Sequence, residues 1–209
     1  LSAPTETGTQ RRPGRPATGA PERILEAGYE VMAREGYAGM TTAKIAAASG
    51  QNKALIPYYF GSKQGLVAAV ARRVAETITE EVLAGLGDPR TARELVQGLV
   101  AGISRVMDRD EGLLRVYFDL ASQSVVDLEV GKILLELKEG YRAILRELVR
   151  ALPSGPKPGH LDGIVVFLIA GLEGLSLERI ERGETVALEQ ARGLFVESAS
   201  RVISADSPE

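Results

Sequence analysis

The chain has 209 residues, 44% of them hydrophobic and 25% charged, with a formal net charge of −3 and a mean hydropathy near zero. That composition is typical of a soluble globular protein, long enough for one large domain or two small ones. Cysteine is absent, which excludes a disulfide framework, a thiol nucleophile and thiolate metal or iron–sulfur sites. The single histidine, His160, would have to carry any Ser-His-Asp chemistry alone and would leave a metal site to carboxylates, so no enzyme, metal or cofactor is expected. The longest uncharged apolar stretch, Gly163 to Leu172, is well short of the ~18 residues a membrane span needs. No basic-then-apolar leader opens the chain, so a cytoplasmic, non-membrane location is expected.

The charge is unevenly spread. Residues 1–66 carry a net +3 and the remainder −6, the asymmetry expected when only the front of a protein approaches a polyanion.

Residues 1–20 are rich in Pro, Gly, Thr and Arg without apolar periodicity, and read as a disordered arm. Pro21-Glu22 suits the first turn of a helix, which Ile24, Leu25, Gly28, Val31 and Met32 continue and Gly36 stops. A second, alanine-rich helix follows the cap residue Thr41 and ends near Ser49, where Gly50 permits a sharp turn. A third short helix spans Asn52 to Tyr58. Ser62 then caps a long fourth helix marked by Leu66, Val70, Val74, Ile78, Val82 and Leu86. Beyond Gly87-Asp88-Pro89, further helices are predicted around Leu95–Val106, over Glu111–Ser122 and over Val125–Leu152. The break Pro153–Gly159 precedes two more, Leu161–Glu181 and Thr185–Ser204. No alternating, β-branched stretch bounded by turns predicts a strand. The expected fold is all-α with about nine helices: an N-terminal three-helix unit (residues 21–66), joined to a larger helical bundle (residues 67–209).

Residues 41–60, TTAKIAAASGQNKALIPYYF, carry the functional signal. Ile45 anchors one helix, Ala46 and Ala48 let a second cross closely, Gly50 turns, and Leu55 or Ile56 tucks the second helix back. This is the layout of a helix-turn-helix. The exposed face of its second helix offers Gln51, Asn52, Lys53 and Tyr58, whose amides suit base edges and whose ammonium and hydroxyl suit phosphates or bases. A plain αα-hairpin is the alternative, but so short and polar a third helix contributes little core.

The segment Glu22–Leu66 resembles the DNA-binding domain of the TetR family of bacterial transcriptional repressors. The resemblance lies in Ile24-Leu25-Glu26-Ala27, Glu35-Gly36-Tyr37, Thr41-Thr42 with Ile45-Ala46, Ala48-Ser49-Gly50, Tyr58-Tyr59-Phe60 and Ser62-Lys63-Gln64-Gly65-Leu66. It implies a homodimer that binds double-stranded DNA, and a divergent C-terminal domain that binds a small-molecule effector and dimerises through its last two helices. Carried over by residue, Thr41 or Thr42 bonds a phosphate. Gln51, Asn52 and Lys53 open the recognition helix, Tyr58 and Tyr59 touch backbone or a thymine methyl, and Lys63 bonds a phosphate at a helix amino end. Two positions depart from the family pattern: Pro57, where an aromatic residue is frequent, and Leu55, where a hydroxyl residue is frequent.

In the arm, Arg11-Arg12-Pro13-Gly14-Arg15-Pro16 is similar to an AT-hook, which would lay Arg15 in a narrow minor groove; the alternative is a basic tail that binds any duplex weakly. An effector pocket needs apolar walls with a few convergent polar groups. Arg115, Tyr117, Phe118, Asp119, Gln123, Tyr141, His160 and Phe167 are its candidates. Ile164, Leu168, Leu172 and Leu175, with Leu188, Leu194, Phe195 and Val202 from the last helix, are expected to form a four-helix dimer interface. The resulting expectation is a dimeric transcriptional regulator, a repressor, released from a near-palindromic operator when an effector swings the fourth helix. A helical adaptor that binds only protein is the rival, and it leaves the basic front unexplained.

Overall fold

The computed structural model describes residues 19–153, 156 and 158–205. Arg15 and the rest of the arm up to residue 18 lie outside the described residues, as do Ser154, Gly155 and Lys157 of the predicted break.

Among the described residues the regular elements are eight α-helices and one 3₁₀ turn, Pro158–His160. They are α1 (Ala20–Gly39), α2 (Thr42–Ser49), α3 (Leu55–Phe60), α4 (Lys63–Ala84), α5 (Ala92–Gln123), α6 (Leu128–Arg150), α7 (Leu161–Arg182) and α8 (Val186–Ala205). The two helices expected over Leu95–Val106 and Glu111–Ser122 run on as one element, interrupted where Asp110 adopts φ −156° and ψ 92°. Its carboxylate accepts the Gly112 N–H at 2.9 Å, so an aspartate re-caps the second segment without a loop.

The N-terminal helices obey local rules. Thr41 caps α2, its hydroxyl accepting from the Lys44 N–H at 3.3 Å, and Ser62 caps α4 by accepting from Gly65 N at 3.0 Å. Gly36, at φ 73° and ψ 172°, breaks α1 as expected of a stop, but helical turns resume to Gly39. The rupture turns the Tyr37 N–H away from the helix axis, toward α5.

Ile24, Val31, Met32, Met40, Ile45 and Ile56 close a small core under α2 and α3, completed by Leu66, Val67 and Val70 of α4. Farther along α4, Val74 and Val82 carry the same core on into α5 to α8, where Leu95, Val106, Val149, Leu168 and Ile203 are buried. No helix among the described residues is long and apolar enough to cross a membrane. Leu168 is fully buried at the centre of α7. Leu168→Ala is expected to lower unfolding free energy by about 2–5 kcal/mol, read from the urea midpoint at unchanged slope.

Candidate nucleic-acid interface and effector cavity

The turn between α2 and α3 is set by Gly50, whose φ of 65° lets its N–H reach back to Ala46 O. From there the chain tightens into i→i+3 bonds, Leu55 N to Asn52 O at 2.9 Å and Ile56 N to Lys53 O at 3.2 Å. Pro57 falls within the first turn of α3, where a backbone N–H has no intrahelical acceptor, so the departure costs the helix nothing. Leu55 is half-buried and packs against the head core.

The expected DNA-facing residues group on this edge with differing freedom. Asn52 spends its side-chain oxygen on the Ala54 N–H at 2.9 Å, which leaves the amide nitrogen to donate elsewhere. Gln51 is half-buried, its Nε2 3.4 Å from Ser49 O. Lys53 is exposed and has no carboxylate partner among the described residues. Tyr58 is 68% exposed and meets the half-buried Tyr59 edge to face at 4.9 Å. Thr41 is exposed and Thr42 half-buried at the start of α2. Lys63, at the amino end of α4, stands 5.1 Å from the centroid of the Tyr37 ring. Lys44, by contrast, is 2.5 Å from Glu35, whose carboxyl it and then Arg34 hold below the usual range.

The head is joined to the body through α1. Tyr29 Oη donates to Asp110 at 2.5 Å, Tyr37 N donates to Asp119, and Tyr37 Oη donates to Asp127 at 3.0 Å. Asp127 also caps α6, accepting from Glu129 N at 2.9 Å and Val130 N at 3.2 Å. Asp119, expected among the effector-pocket residues, accepts its bond at this junction and does not line the cavity of the body.

A cavity of about 130 Å³ lies in the body. Its walls are apolar: Ala75, Ile78 and Val82 from α4, Leu99, Ile103 and Leu114 from α5, Ile144, Leu145 and Leu148 from α6, Ile169 and Leu172 from α7. Dry apolar cavities of about this size accept a benzene-sized guest. Polar groups converge at one end. Tyr117 Oη donates to Glu173, lies 2.8 Å from Tyr141 Oη, and Tyr141 Oη is 3.3 Å from the same Glu173 oxygen. Burial comes first in raising both tyrosine hydroxyls above their ordinary range, so they remain protonated donors. Lys138 Nζ closes the cluster at 3.3 Å from Glu173 and 5.7 Å from the Tyr117 ring centroid. A second, larger space of about 390 Å³ between α1, α4 and α5 is bordered by Glu22, Arg73, Glu81 and Arg109, which favour water over an apolar guest.

Of the expected pocket residues, Tyr117, Phe118 and Tyr141 line the cavity. Arg115 is exposed and paired with Glu111 at 2.6 Å, one turn back on its own helix. Gln123 ends α5, His160 is exposed ahead of α7, and Phe167 faces outward, its ring 5.9 Å from that of Phe195. These four do not line the cavity: Arg115 and Phe167 lie on other faces of their helices, and Gln123 and His160 at helix ends. Sequence reasoning missed Glu173, a lone carboxylate between Leu172 and Ser176 in a nearly apolar helix, which was a readable signal. It also missed Lys138, which only tertiary packing brings to that carboxylate.

The residues expected at the dimer interface divide by their exposure in the protomer. Ile164, Leu168 and Leu188 are buried within the protomer, Leu172 and Phe195 are half-buried against its core, and Leu175 is half-buried. Only Leu194 and Val202 of the eight are exposed. The outer face of α7 is formed instead by Val166, Phe167, Ala170, Gly174 and Leu177.

Asp119→Ala would leave the Tyr37 N–H without its acceptor. A loss of about 1–3 kcal/mol in unfolding free energy is expected, with faster hydrogen exchange at that amide. The bonds from Val130 N and then from Tyr37 hold the Asp127 carboxyl below its ordinary value of 3.8. Its contribution is therefore present above that value and lost as pH falls through the lower folded one. Asp127→Asn, which can cap without titrating, is expected to flatten the acid limb of the stability curve.

Residues 24–70 match the family described as bacterial regulatory proteins, tetR family, and residues 92–204 match the C-terminal domain of BetI-type transcriptional repressors. The HTH-type transcriptional regulator BetI of Rhizobium meliloti (strain 1021) is 23% identical over 172 residues, covering 82% of this chain and 83% of that protein. A Rhodococcus sp. protein assigned to the TetR family superposes with a TM-score of 0.76 at 18% identity, over 90% of this chain and all of the other. A Saccharomonospora viridis protein assigned as a transcriptional regulator, crystallised with choline, superposes with a TM-score of 0.72 at 20% identity, over 89% and 98% of the two chains. At these identities the two structures speak for the fold alone.

Proposed function

The chain belongs to the TetR family of bacterial regulatory proteins, and from that premise we propose how this ligand-responsive, DNA-binding transcriptional regulator reads its operator and is released from it. Residues 21–66 form the reading head and residues 67–209 the effector-binding and dimerisation domain. Gln51, Asn52, Lys53 and Tyr58 meet the major groove; Thr41, Thr42, Tyr59 and Lys63 hold flanking backbone. Arg15 in the arm adds salt-dependent attraction. The protein works in the cytoplasm as a homodimer that represses transcription.

The observation that carries this reading is the double membership of α4. A Cβ on Gly65 would collide with the Phe60 carbonyl, so the first turn of α4 sits directly against the end of α3. Three turns later Ala75, Ile78 and Val82 wall the cavity. A guest that moves this wall therefore moves the reading helix. The second segment of α5 supplies a parallel route, because it carries Leu114 and Tyr117 on the cavity side and Asp119 on the α1 side. The guest shifts the equilibrium only by as much as it prefers the non-reading arrangement.

Dimerisation uses the outer face of α7 and α8: Val166, Phe167, Ala170, Gly174 and Leu177 with Leu194 and Val202. Gly174 has open space where a Cβ would stand, which suits close approach of a second helix. The partner's head then reads a half-site about 34 Å away. Choline, bound by the Saccharomonospora viridis neighbour, is the first effector to try.

Selection of genomic fragments by the full-length protein, followed by titration at several salt concentrations, tests the reading. A near-palindrome is expected, with log K falling by about 0.9 per phosphate contacted for each unit of log salt. Weak, uniform binding to every fragment would favour the adaptor alternative. Lys53→Ala with Tyr58→Ala should weaken operator binding at least about tenfold while leaving the fold intact. Leu194→Arg is expected to give monomers by light scattering and to remove cooperative occupation of the two half-sites.

A further inference from the structure

Two lysines stand in the first turns of neighbouring helices and are held by different means. Lys44 of α2 is paired with the Glu35 carboxylate at 2.5 Å. Lys63, the first residue of α4, has no carboxylate partner among the described residues; its Nζ lies over the ring of Tyr37, 5.1 Å from the centroid. An ion pair cancels the charge that a phosphate would meet. A ring face attracts an ammonium without cancelling it and leaves the donors on its far side free.

The ring is itself anchored from the body. Gly36, at φ 73°, turns the chain so that the Tyr37 N–H donates to Asp119, and the Tyr37 Oη donates to Asp127 Oδ2 at 3.0 Å. The other oxygen of Asp127 caps α6 through the N–H groups of Glu129 and Val130, so this acceptor is fixed in turn. We propose that Tyr37 is a positioning residue for DNA binding: its ring, set by Asp119 and Asp127, holds the Lys63 ammonium ready for a backbone phosphate before the duplex arrives. This rests on the reading of Lys63 as a phosphate contact. A lysine stem that is free in solution loses rotamers on binding, and one already laid against a ring has fewer to lose. The ring follows the end of α5 and the start of α6, so a shift of the body against the head withdraws the support of Lys63 even where α3 keeps its place. The segment of α5 that carries Asp119 also carries Leu114 and Tyr117 on the cavity side. One phosphate contact in each subunit thereby answers to the body directly.

The test is a double-mutant cycle on the near-palindromic fragment selected by the full-length protein. Affinity is titrated at several salt concentrations for the parent, Tyr37→Leu, Tyr37→Phe, Lys63→Ala and each Tyr37 variant combined with Lys63→Ala. Lys63→Ala is expected to reduce the slope of log K against log salt by about 0.9 for each subunit. Tyr37→Leu is expected to weaken binding about three- to tenfold when Lys63 is present, and by less than about twofold when alanine replaces it. Tyr37→Phe keeps the ring and loses only the Asp127 bond; it should cost less than Tyr37→Leu, and its effect should vanish in the same background. Equal losses in both backgrounds, which a merely structural tyrosine would give, overturn the proposal and leave Lys63 as a phosphate contact. If Lys63→Ala changes neither affinity nor slope, the contact and the proposal fall together. The NMR spectrum of the parent protein supplies a second measurement that no unfolded variant can spoil. The ring current of Tyr37 should place the Lys63 ε-methylene protons upfield of those of the exposed Lys53, and equal shifts overturn the proposal.

Discussion

One helix runs through both ends of a single apolar core. The first three turns of α4 complete the small core of the DNA-binding head through Leu66, Val67 and Val70; the next three border the body through Val74, Ile78 and Val82. Side chains in a close-packed interior cannot shift independently of the backbone that carries them. A displacement of the cavity wall would therefore be carried along a helix that runs without a break from there to the end of α3, and would arrive where α4 meets α3. The contact of Gly65 with the Phe60 carbonyl makes that arrival tight.

The polar bonds between α1 and the body supplement this apolar continuity. Asp110, Asp119 and Asp127 each accept a hydrogen bond from a tyrosine of α1, two from hydroxyls and one from a backbone N–H. Each also stands at a structural corner: the interruption of α5, its final turns, and the cap of α6. Gly112 serves the same junction, since a Cβ there would stand 2.8 Å from the Tyr29 hydroxyl. Hydrogen bonds have direction as well as energy, so this set specifies one orientation of the head. An apolar seam alone would tolerate sliding.

Inside the body, chemistry is concentrated at one end of a space that is otherwise aliphatic. Two neutral tyrosines, one carboxylate and one ammonium form a cluster whose charges balance. The apolar walls and the charged cluster are thus separated along the cavity. The far end of the bundle is tied by another set of charges: Arg179 donates to Ser104 O at 3.1 Å and pairs with Asp108 and Glu184, and Arg192 pairs with Glu184 at 2.8 Å. That network fixes α5, α7 and α8 against one another.

Much of this was legible from the amino-acid order alone. Helix starts and stops follow from Thr41, Ser62 and the glycines Gly36 and Gly50, because capping and left-handed backbone are properties of single residues and their immediate neighbours; the Asp127 cap was not read, and α6 starts at Leu128 and not at the expected Val125. The helix-turn-helix was readable for the same reason, being almost entirely local. Tertiary structure decided the rest. The apolar residues of α7 cover more than one face, so periodicity alone does not say which face meets the protomer's core; Ile164 and Leu168 turned inward and Val166 and Phe167 outward. Asp119 was legible as a polar residue among aliphatics, yet its partner Tyr37 lies 82 positions away. Lys138 and Glu173 likewise meet only because α6 and α7 cross. Local conformational preference belongs to the sequence, whereas the pairing of distant charged groups depends on how the helices are rotated and packed.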